Sequence, residues 1–341
     1  MINSDPLESA LVELRVPSHW IKSYLQYRDR LESSGFPCIF ELDHLAYHLS
    51  FEPSALRVLV HNPQGSYNFI EIPKKRGGIR KISAPLPALL YAQRWIKNNI
   101  VDKLNIDESA HAYVRTRSIV THARLHIEGR VIYRTDIRDF FGSISFDSVV
   151  SLIYSLGYSQ DVLFDIASIC CLHGSLPQGA STSPALSNVI FYKTDRALST
   201  LASSFGLRYS RYADDLCFSG EHIPRKFIDK STSILNADGY ILNSEKTRLE
   251  TSRSRRVICG LSIGDGRVKP VKSFRRAVRA ETNNFLKQTK ERSVVYWEVT
   301  PFFIDRLLGR LNFWKSVEPD NKWIVEHEQI VRRRIRTILE M

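Results

Sequence analysis

Two adjacent carboxylates set inside a β-rich run constrain this chain more than any other feature. In Leu207-Arg208-Tyr209-Ser210-Arg211-Tyr212-Ala213-Asp214-Asp215-Leu216-Cys217-Phe218-Ser219, Tyr209 and Leu216 to Phe218 are strand formers. No Gly or Pro marks an ordinary turn between them. The pattern predicts a hairpin with Ala213-Asp214-Asp215 at its tip, pushing two carboxylates out of a sheet edge. Like charges this close repel, and one resists ionisation unless a cation neutralises the pair. Mg²⁺ suits the position, being a hard ion that takes carboxylate oxygen and keeps room for phosphate oxygens. An isolated Asp-Asp pair is more often a solvated turn. Here a third acid upstream overrides that reading.

The third acid is Asp136, at the end of the β-rich run Val131-Ile132-Tyr133-Arg134-Thr135. Asp139, three residues on, reads as a turn or helix-cap residue. Asp136 at a strand end and Asp214/Asp215 at a hairpin tip converge if their strands are neighbours in one antiparallel sheet. Three carboxylates around two metal ions suit in-line phosphoryl transfer: one ion activates the attacking hydroxyl, the other steadies the triphosphate and the leaving pyrophosphate.

At these residues the chain resembles the reverse transcriptases. Tyr212-Ala213-Asp214-Asp215 in a strand–turn–strand is similar to their catalytic motif. Asp136 with Phe140-Phe141 is similar to their first palm motif, and Leu176-Pro177-Gln178-Gly179-Ala180-Ser181-Thr182-Ser183-Pro184 to their Gln-Gly loop. The motifs occur in the family's order, from about Lys74 to Leu261. The resemblance implies an α+β right-hand polymerase. It would have an N-terminal helical extension over 1–60, fingers over 61–135, a palm with an antiparallel sheet over 136–250 and a helical, basic thumb over 251–341. It implies dNTP substrates and two Mg²⁺ ions on Asp136, Asp214 and Asp215, with Mn²⁺ as a substitute ion.

Further roles follow from the same resemblance. Phe141, five residues past Asp136, takes the place of the steric gate that leaves no room for a 2′-hydroxyl. Phe140 is then a core residue. Lys75 and Arg80, on a hairpin that alternates over 67–72 and turns at Gly77-Gly78, match the cations that contact the nucleotide phosphates. Gln178 and Gly179 become nucleotide contacts, in a loop whose small residues let nucleotide and template approach the backbone. Lys246, expected at the end of a strand over 240–247, stands where the family places a general acid for pyrophosphate.

The remaining chain is read mainly for organisation. Residues 6–60 carry helical spacing with breaks at Gly35-Phe36-Pro37 and Glu52-Pro53 and no chemistry of their own. Leu86 to Val101 reads as an amphipathic helix with Trp95 and Ile96 in the core, and Ala185 to Phe205 as one long helix. Arg115 and Arg117 suit template phosphates. Thr121-His122-Ala123-Arg124-Leu125-His126 resembles the Asn-Ala-x-x-His element of retron reverse transcriptases, with His122 in place of Asn, which makes His126 an RNA-binding candidate. Their Val-Thr-Gly triplet becomes Ile258-Cys259-Gly260, which keeps only Gly260.

Composition bears on the partner. The chain has 48 Lys and Arg against 36 Asp and Glu, a formal net charge of +12. Arg253 to Arg292 alone holds twelve Lys and Arg against three Asp and Glu, interleaved with or followed by Phe274, Phe285, Tyr296 and Trp297. Such a stripe, including Arg255, Arg256, Arg275 and Arg276, fits a surface that grips an A-form duplex by backbone and 2′-hydroxyl contacts. Five cysteines with no CxxC pair suggest neither a disulfide framework nor a zinc site. No apolar run reaches membrane-spanning length, so the expectation is a cytoplasmic protein with reduced thiols and no membrane partner.

Within the family, the compact length and the Ala123…His126 remnant most resemble retron reverse transcriptases. That implies a cognate structured noncoding RNA, a multicopy single-stranded DNA primed from an RNA 2′-hydroxyl, its RNA–DNA product, and an effector protein of an antiphage defence system. Group II-intron-like and abortive-infection reverse transcriptases remain open. So does a nucleic-acid scaffold that restrains an effector. A two-metal nuclease would need neither the Gln178-Gly179 loop nor a gate.

Overall fold

The computed structural model describes residues 5–74, 77–251, 256–290 and 302–339. It is α+β, with small antiparallel sheets among many helices. Two compact units are each assembled from three chain segments. One comprises 1–113, 137–198 and 232–242; the other comprises 114–136, 199–231 and 243–341.

The first unit opens with helices Pro6–Glu13, Ser18–Ser33, Leu42–Leu49 and Pro53–His61. Pro53 starts the last of these at a position where the missing N–H would have no helical partner anyway. Strands β1 (Tyr67–Pro73) and β2 (Ile79–Pro85) then pair antiparallel along their whole length, from Tyr67↔Pro85 to Pro73↔Ile79. The base of this hairpin is fixed by Gln93, fully buried on helix Pro87–Asn99. Its Nε2 donates to Tyr67 Oη (2.9 Å) and Ile169 O (3.0 Å), and its Oε1 accepts from Ser181 N (3.1 Å). Ile96 on the same helix is buried as expected, while Trp95 is half-buried.

The single long helix expected over 185–205 is two helices, Ser183–Ile190 and Tyr192–Ser204. They break at Phe191. Its fully buried ring packs 4.7 Å from Tyr240 and 5.6 Å from Phe140, so aromatic packing outweighs helix continuity there.

The second unit holds a four-stranded antiparallel sheet in the order β4-β5-β3-β6. Its strands are β3 (Val131–Asp136), β4 (Arg208–Tyr212), β5 (Asp215–Gly220) and β6 (Arg248–Glu250). Strand alternation divides the side chains cleanly. Tyr133, Phe218 and Tyr209 stack across three strands on one face, with centroids 5.9 and 4.7 Å apart. Ile132 and Cys217 lie on the other face. They share a core with Ala123, Val317 and the small sheet β7 (Val257–Ile258), β8 (Leu261–Ser262) and β9 (Lys269–Pro270).

Helices Lys272–Lys290, Phe303–Val317 and Lys322–Leu339 complete this unit around Leu311 and the fully buried Trp314. Burying an aromatic of this size contributes about 3 kcal/mol. Phe285, expected among nucleic-acid contacts, belongs to this core, and Phe274 packs against it. The reason is helical spacing, which gives the basic stripe an apolar underside. Tyr296 and Trp297 lie outside the described residues. Among the described residues, no helix is long and apolar enough to cross a membrane.

Candidate active site

The acids come together as the sheet register dictates. Asp136, last in β3, pairs directly with Asp215, first in β5, and Tyr212 pairs with Asp215 to close the hairpin. The tip is therefore the two-residue loop Ala213-Asp214, and Asp215 belongs to the strand. A two-residue loop of the kind that matches strand twist needs positive φ at its first position, and Ala213 supplies it at +56°. Alternation then puts Asp136, Asp215 and Tyr212 on one face, with Asp214 in the turn beside them.

Lys246 joins them from a turn, not from the strand end expected. Asn243 O accepts from Lys246 N and Thr247 N, both at 3.1 Å, and Asn243 Oδ1 accepts from Glu245 N at 3.2 Å. This is the local side-chain bonding by which Asn favours turns over strands. Asn243 N donates to Asp136 O (2.7 Å), which ties the turn to β3. Lys246 Nζ then donates to Asp136 Oδ2 at 2.6 Å.

The electrostatics mark an excess of negative charge. Burial, then the charges of Asp136 and Asp215, push the Asp214 carboxyl up to about 7. Burial and Asp136 raise Asp215 as well, while Lys246 and Arg134 pull it back. Asp215 is exposed to water, so solvent screens part of this repulsion. Burial works against the Lys246 ammonium, yet its hydrogen bond to Asp136 and the three acids more than offset that and hold its pKa raised. Cys259 donates its thiol to Asp215 Oδ2 at 3.7 Å, and burial together with Asp215 keeps that thiol protonated.

Among the described residues no three His, Cys, Asp or Glu side chains form a ready-made metal cage. The donor chemistry nevertheless fits a divalent ion. Hard carboxylate oxygens gather on one sheet end, and their mutual repulsion is the condition that Mg²⁺ or Mn²⁺ relieves.

The expected RNA contact His126 is corrected by burial. Its side chain is fully buried; Nδ1 shares a hydrogen bond with Ser219 Oγ (2.7 Å) and Nε2 with Ser210 Oγ (2.8 Å). Ser210 Oγ also bonds His122 Nδ1 (2.7 Å). Both imidazoles thus fasten helix Ile119–Leu125 to the β4–β5 hairpin, on the face that also carries Tyr212 and Asp215. His122, standing where the resemblance expects Asn, still makes a polar tie. Gly260 also has a backbone reason. Cys259 and Gly260 have φ of +45° and +79° and form the two-residue turn between β7 and β8, with nothing within 4 Å of a Cβ at Gly260.

The first unit carries the nucleotide-side candidates. Gln178 O accepts from Ser83 N of β2 (2.8 Å), which docks the Gln178-Gly179 loop against the hairpin that bears Arg80. Arg80 is exposed, and Lys75 lies outside the described residues. Phe141 is half-buried, its ring 5.6 Å from Phe140, and Phe140 is buried as expected. Sequence reasoning passed over Tyr113. Its φ of +61° is unusual for an aromatic residue, and its half-exposed ring lies 6.3 Å from that of Phe141.

The basic candidates separate by their partners. Arg256 donates to Gly129 O and Arg275 Nε to Pro270 O, so both serve the protein's own backbone. Arg279 lies over Trp314 and Trp323, at 5.5 and 5.0 Å. Arg276 and Arg115 are exposed, Arg117 is half-buried, and Arg255 lies outside the described residues.

Known proteins resemble this chain over most of its length. The family described as "Reverse transcriptase (RNA-dependent DNA polymerase)" matches residues 72–292. The Retron Ec86 reverse transcriptase of Escherichia coli is 32% identical over 294 residues, covering 85% of this chain and 88% of that protein. The Retron Mx65 reverse transcriptase of Myxococcus xanthus is 31% identical, covering 73% of this chain and 64% of that protein. The Retron Mx162 reverse transcriptase of Myxococcus xanthus is 30% identical, covering 72% and 59%.

Proposed function

Because this chain belongs to the reverse transcriptases of retrons, which are RNA-directed DNA polymerases, we propose that it makes multicopy single-stranded DNA from its own structured noncoding RNA. Synthesis starts from a 2′-hydroxyl of that RNA, and the RNA–DNA product works with an effector protein in antiphage defence. Supporting the catalytic part is the gathering of Asp136, Asp214, Asp215 and Lys246 at one end of one sheet. In this reading 61–135 act as fingers, 136–250 as palm and 251–341 as thumb, and the enzyme is cytoplasmic.

Two Mg²⁺ ions on Asp136, Asp214 and Asp215 would activate the attacking hydroxyl and neutralise charge on the triphosphate and the leaving pyrophosphate. The protein's own groups do the rest. Lys246, held protonated by the acids around it, gives its Nζ proton to the pyrophosphate oxygen as the bond to the α-phosphorus breaks. Phe141 lies against the sugar and excludes a 2′-hydroxyl. Arg80 and Lys75 draw in the triphosphate, and Gln178-Gly179 border it. Arg115, Arg117 and Arg276 carry template or duplex phosphates.

Primer extension on an RNA template separates these roles. Phe141→Ala should admit ribonucleotides, and Lys246→Met should lower kcat with little change in dNTP KM. Unchanged sugar selectivity, or an unchanged kcat, removes the respective role. The retron function is tested by expressing the chain with its native flanking DNA and treating extracted nucleic acid with RNase and debranching enzyme. A discrete short DNA that shifts on debranching and disappears in Asp214→Asn is the expected result. If primer extension works but no such DNA forms, the priming proposal fails and the polymerase stands. If Asp214→Asn abolishes DNA yet leaves phage protection intact, the protein protects as a scaffold.

A further inference from the structure

We infer that Arg211 is a positioning residue for DNA synthesis: its buried guanidinium fixes the Ala213–Asp214 peptide plane and so aims the Asp214 carboxylate. The inference rests on the proposed role of Asp214. Strand β4 carries an unusual buried cation. Arg211 is fully buried and among the largest side chains in the protein that are so. Strand alternation places it on the face opposite Tyr212 and Asp215, paired with Leu216. A guanidinium stays charged, and burying that charge is costly unless hydrogen bonds replace water. An apolar side chain would be the ordinary occupant of such a position.

One of its bonds reaches the turn that carries Asp214. Arg211 Nη1 donates to Ala213 O at 3.0 Å. Ala213 is the residue in the left-handed region, which costs a non-glycine residue about 1 kcal/mol. Its carbonyl belongs to the peptide plane that leads into Asp214, so the direction of that plane sets where the Asp214 side chain starts. The oxygen of that plane is therefore committed to Arg211. Releasing the oxygen lets the plane rotate, and the carboxylate turns with it. The planar, multi-donor guanidinium fixes direction as well as charge, which a Lys ammonium on a flexible stem does less well.

The experiment compares Arg211→Lys, Arg211→Met and each of these combined with Ala213→Gly. Glycine adopts positive φ without steric cost, so it should restore the turn when the brace is gone. In primer extension Arg211→Met should lower kcat about 100-fold and Arg211→Lys about 10-fold, with dNTP KM within about threefold of wild type. The Mg²⁺ concentration for half-maximal rate should rise at least about fivefold, a shift that a loss of folded protein alone would not produce. Each double variant should exceed its Arg211 single variant by about 10-fold, measured against Ala213→Gly alone.

If Arg211→Met does not fold, the Arg211→Lys pair decides. A folded Arg211→Lys enzyme with wild-type kcat and Mg²⁺ dependence overturns the inference. So does a double variant no faster than its single variant. Asp214→Asn is run alongside: if it still synthesises DNA, the proposed role of Asp214 has failed, not the brace.

Discussion

Replacing Asp214 by Asn is expected to abolish DNA synthesis and, without divalent cations, to stabilise the protein at neutral and alkaline pH. The loss of activity follows from removing one carboxylate from the proposed phosphoryl-transfer centre. Metal-assisted charge stabilisation of several kcal/mol corresponds to at least about 10³-fold in rate. The gain in stability follows from where the proton sits. In the folded chain Asp214 keeps its proton up to about pH 7, whereas the unfolded chain gives it up near 3.8. Between those values the folded chain binds more protons, so this group's stabilisation is complete below the lower value and is lost as pH climbs through the upper one.

Asparagine does not ionise and escapes that loss. Allowing for solvent around the turn, the difference at pH 8 should be about 1–2 kcal/mol, or about 3–6 °C in the transition of this unit. By pH 4 it should vanish. Mg²⁺ or Mn²⁺ should raise the wild-type transition at pH 8 and leave the variant nearly unmoved. Scanning calorimetry over pH, with and without metal, makes the check. A variant less stable than wild type at pH 8 without metal would mean that the acids do not strain the fold.

The strands that carry these acids were readable because their patterns are local. Val131 to Thr135 is rich in β-branched residues, Leu216 to Phe218 is an apolar run ending in an aromatic, and each abuts an acid. Whether Asp215 is loop or strand was not readable, because it depends on register: a two-residue loop makes it the partner of Tyr212 and Asp136. His126 misled for a related reason. A polar residue in a motif invites a ligand, yet two serines arriving from β4 and β5 make it an interior tie, and neither is near it in sequence. Lys246 was placed by motif and misplaced by element, since the Asn243 turn competes locally with strand extension. Arg211 gave no signal at all. An Arg between Ser210 and Tyr212 reads as a surface residue until the sheet covers it.

Gly179→Ala should be the most damaging exchange of a small residue in the first unit, for a reason different from the one its loop composition suggests. Small residues around Gln178 suggest room for a nucleotide or a template strand. What approaches the backbone of Gly179 is the protein's own β2: a Cβ there would meet Ser83 O at 2.5 Å and Ile82 Cγ2 at 2.9 Å. Its φ of +127° is also a value that side-chain-bearing residues rarely adopt. Relief would require the loop to lift from β2, breaking the bond from Ser83 N to Gln178 O and loosening the bond from Ser181 N to Gln93 Oε1. Strain and the lost contacts together should cost about 3 kcal/mol. Loosening Gln178 and the Arg80 hairpin together should lower kcat/KM for dNTPs about 100-fold. Gly174→Ala is the control, since Gly174 has a φ of +79° but open space around it. It should cost about 1 kcal/mol and leave synthesis intact. Faster hydrogen exchange at the Ser83 amide in Gly179→Ala, but not in Gly174→Ala, would trace the loss to this contact. A Gly179→Ala enzyme with wild-type kcat/KM and an undisturbed Ser83 amide would show that the loop does not need its seat on β2.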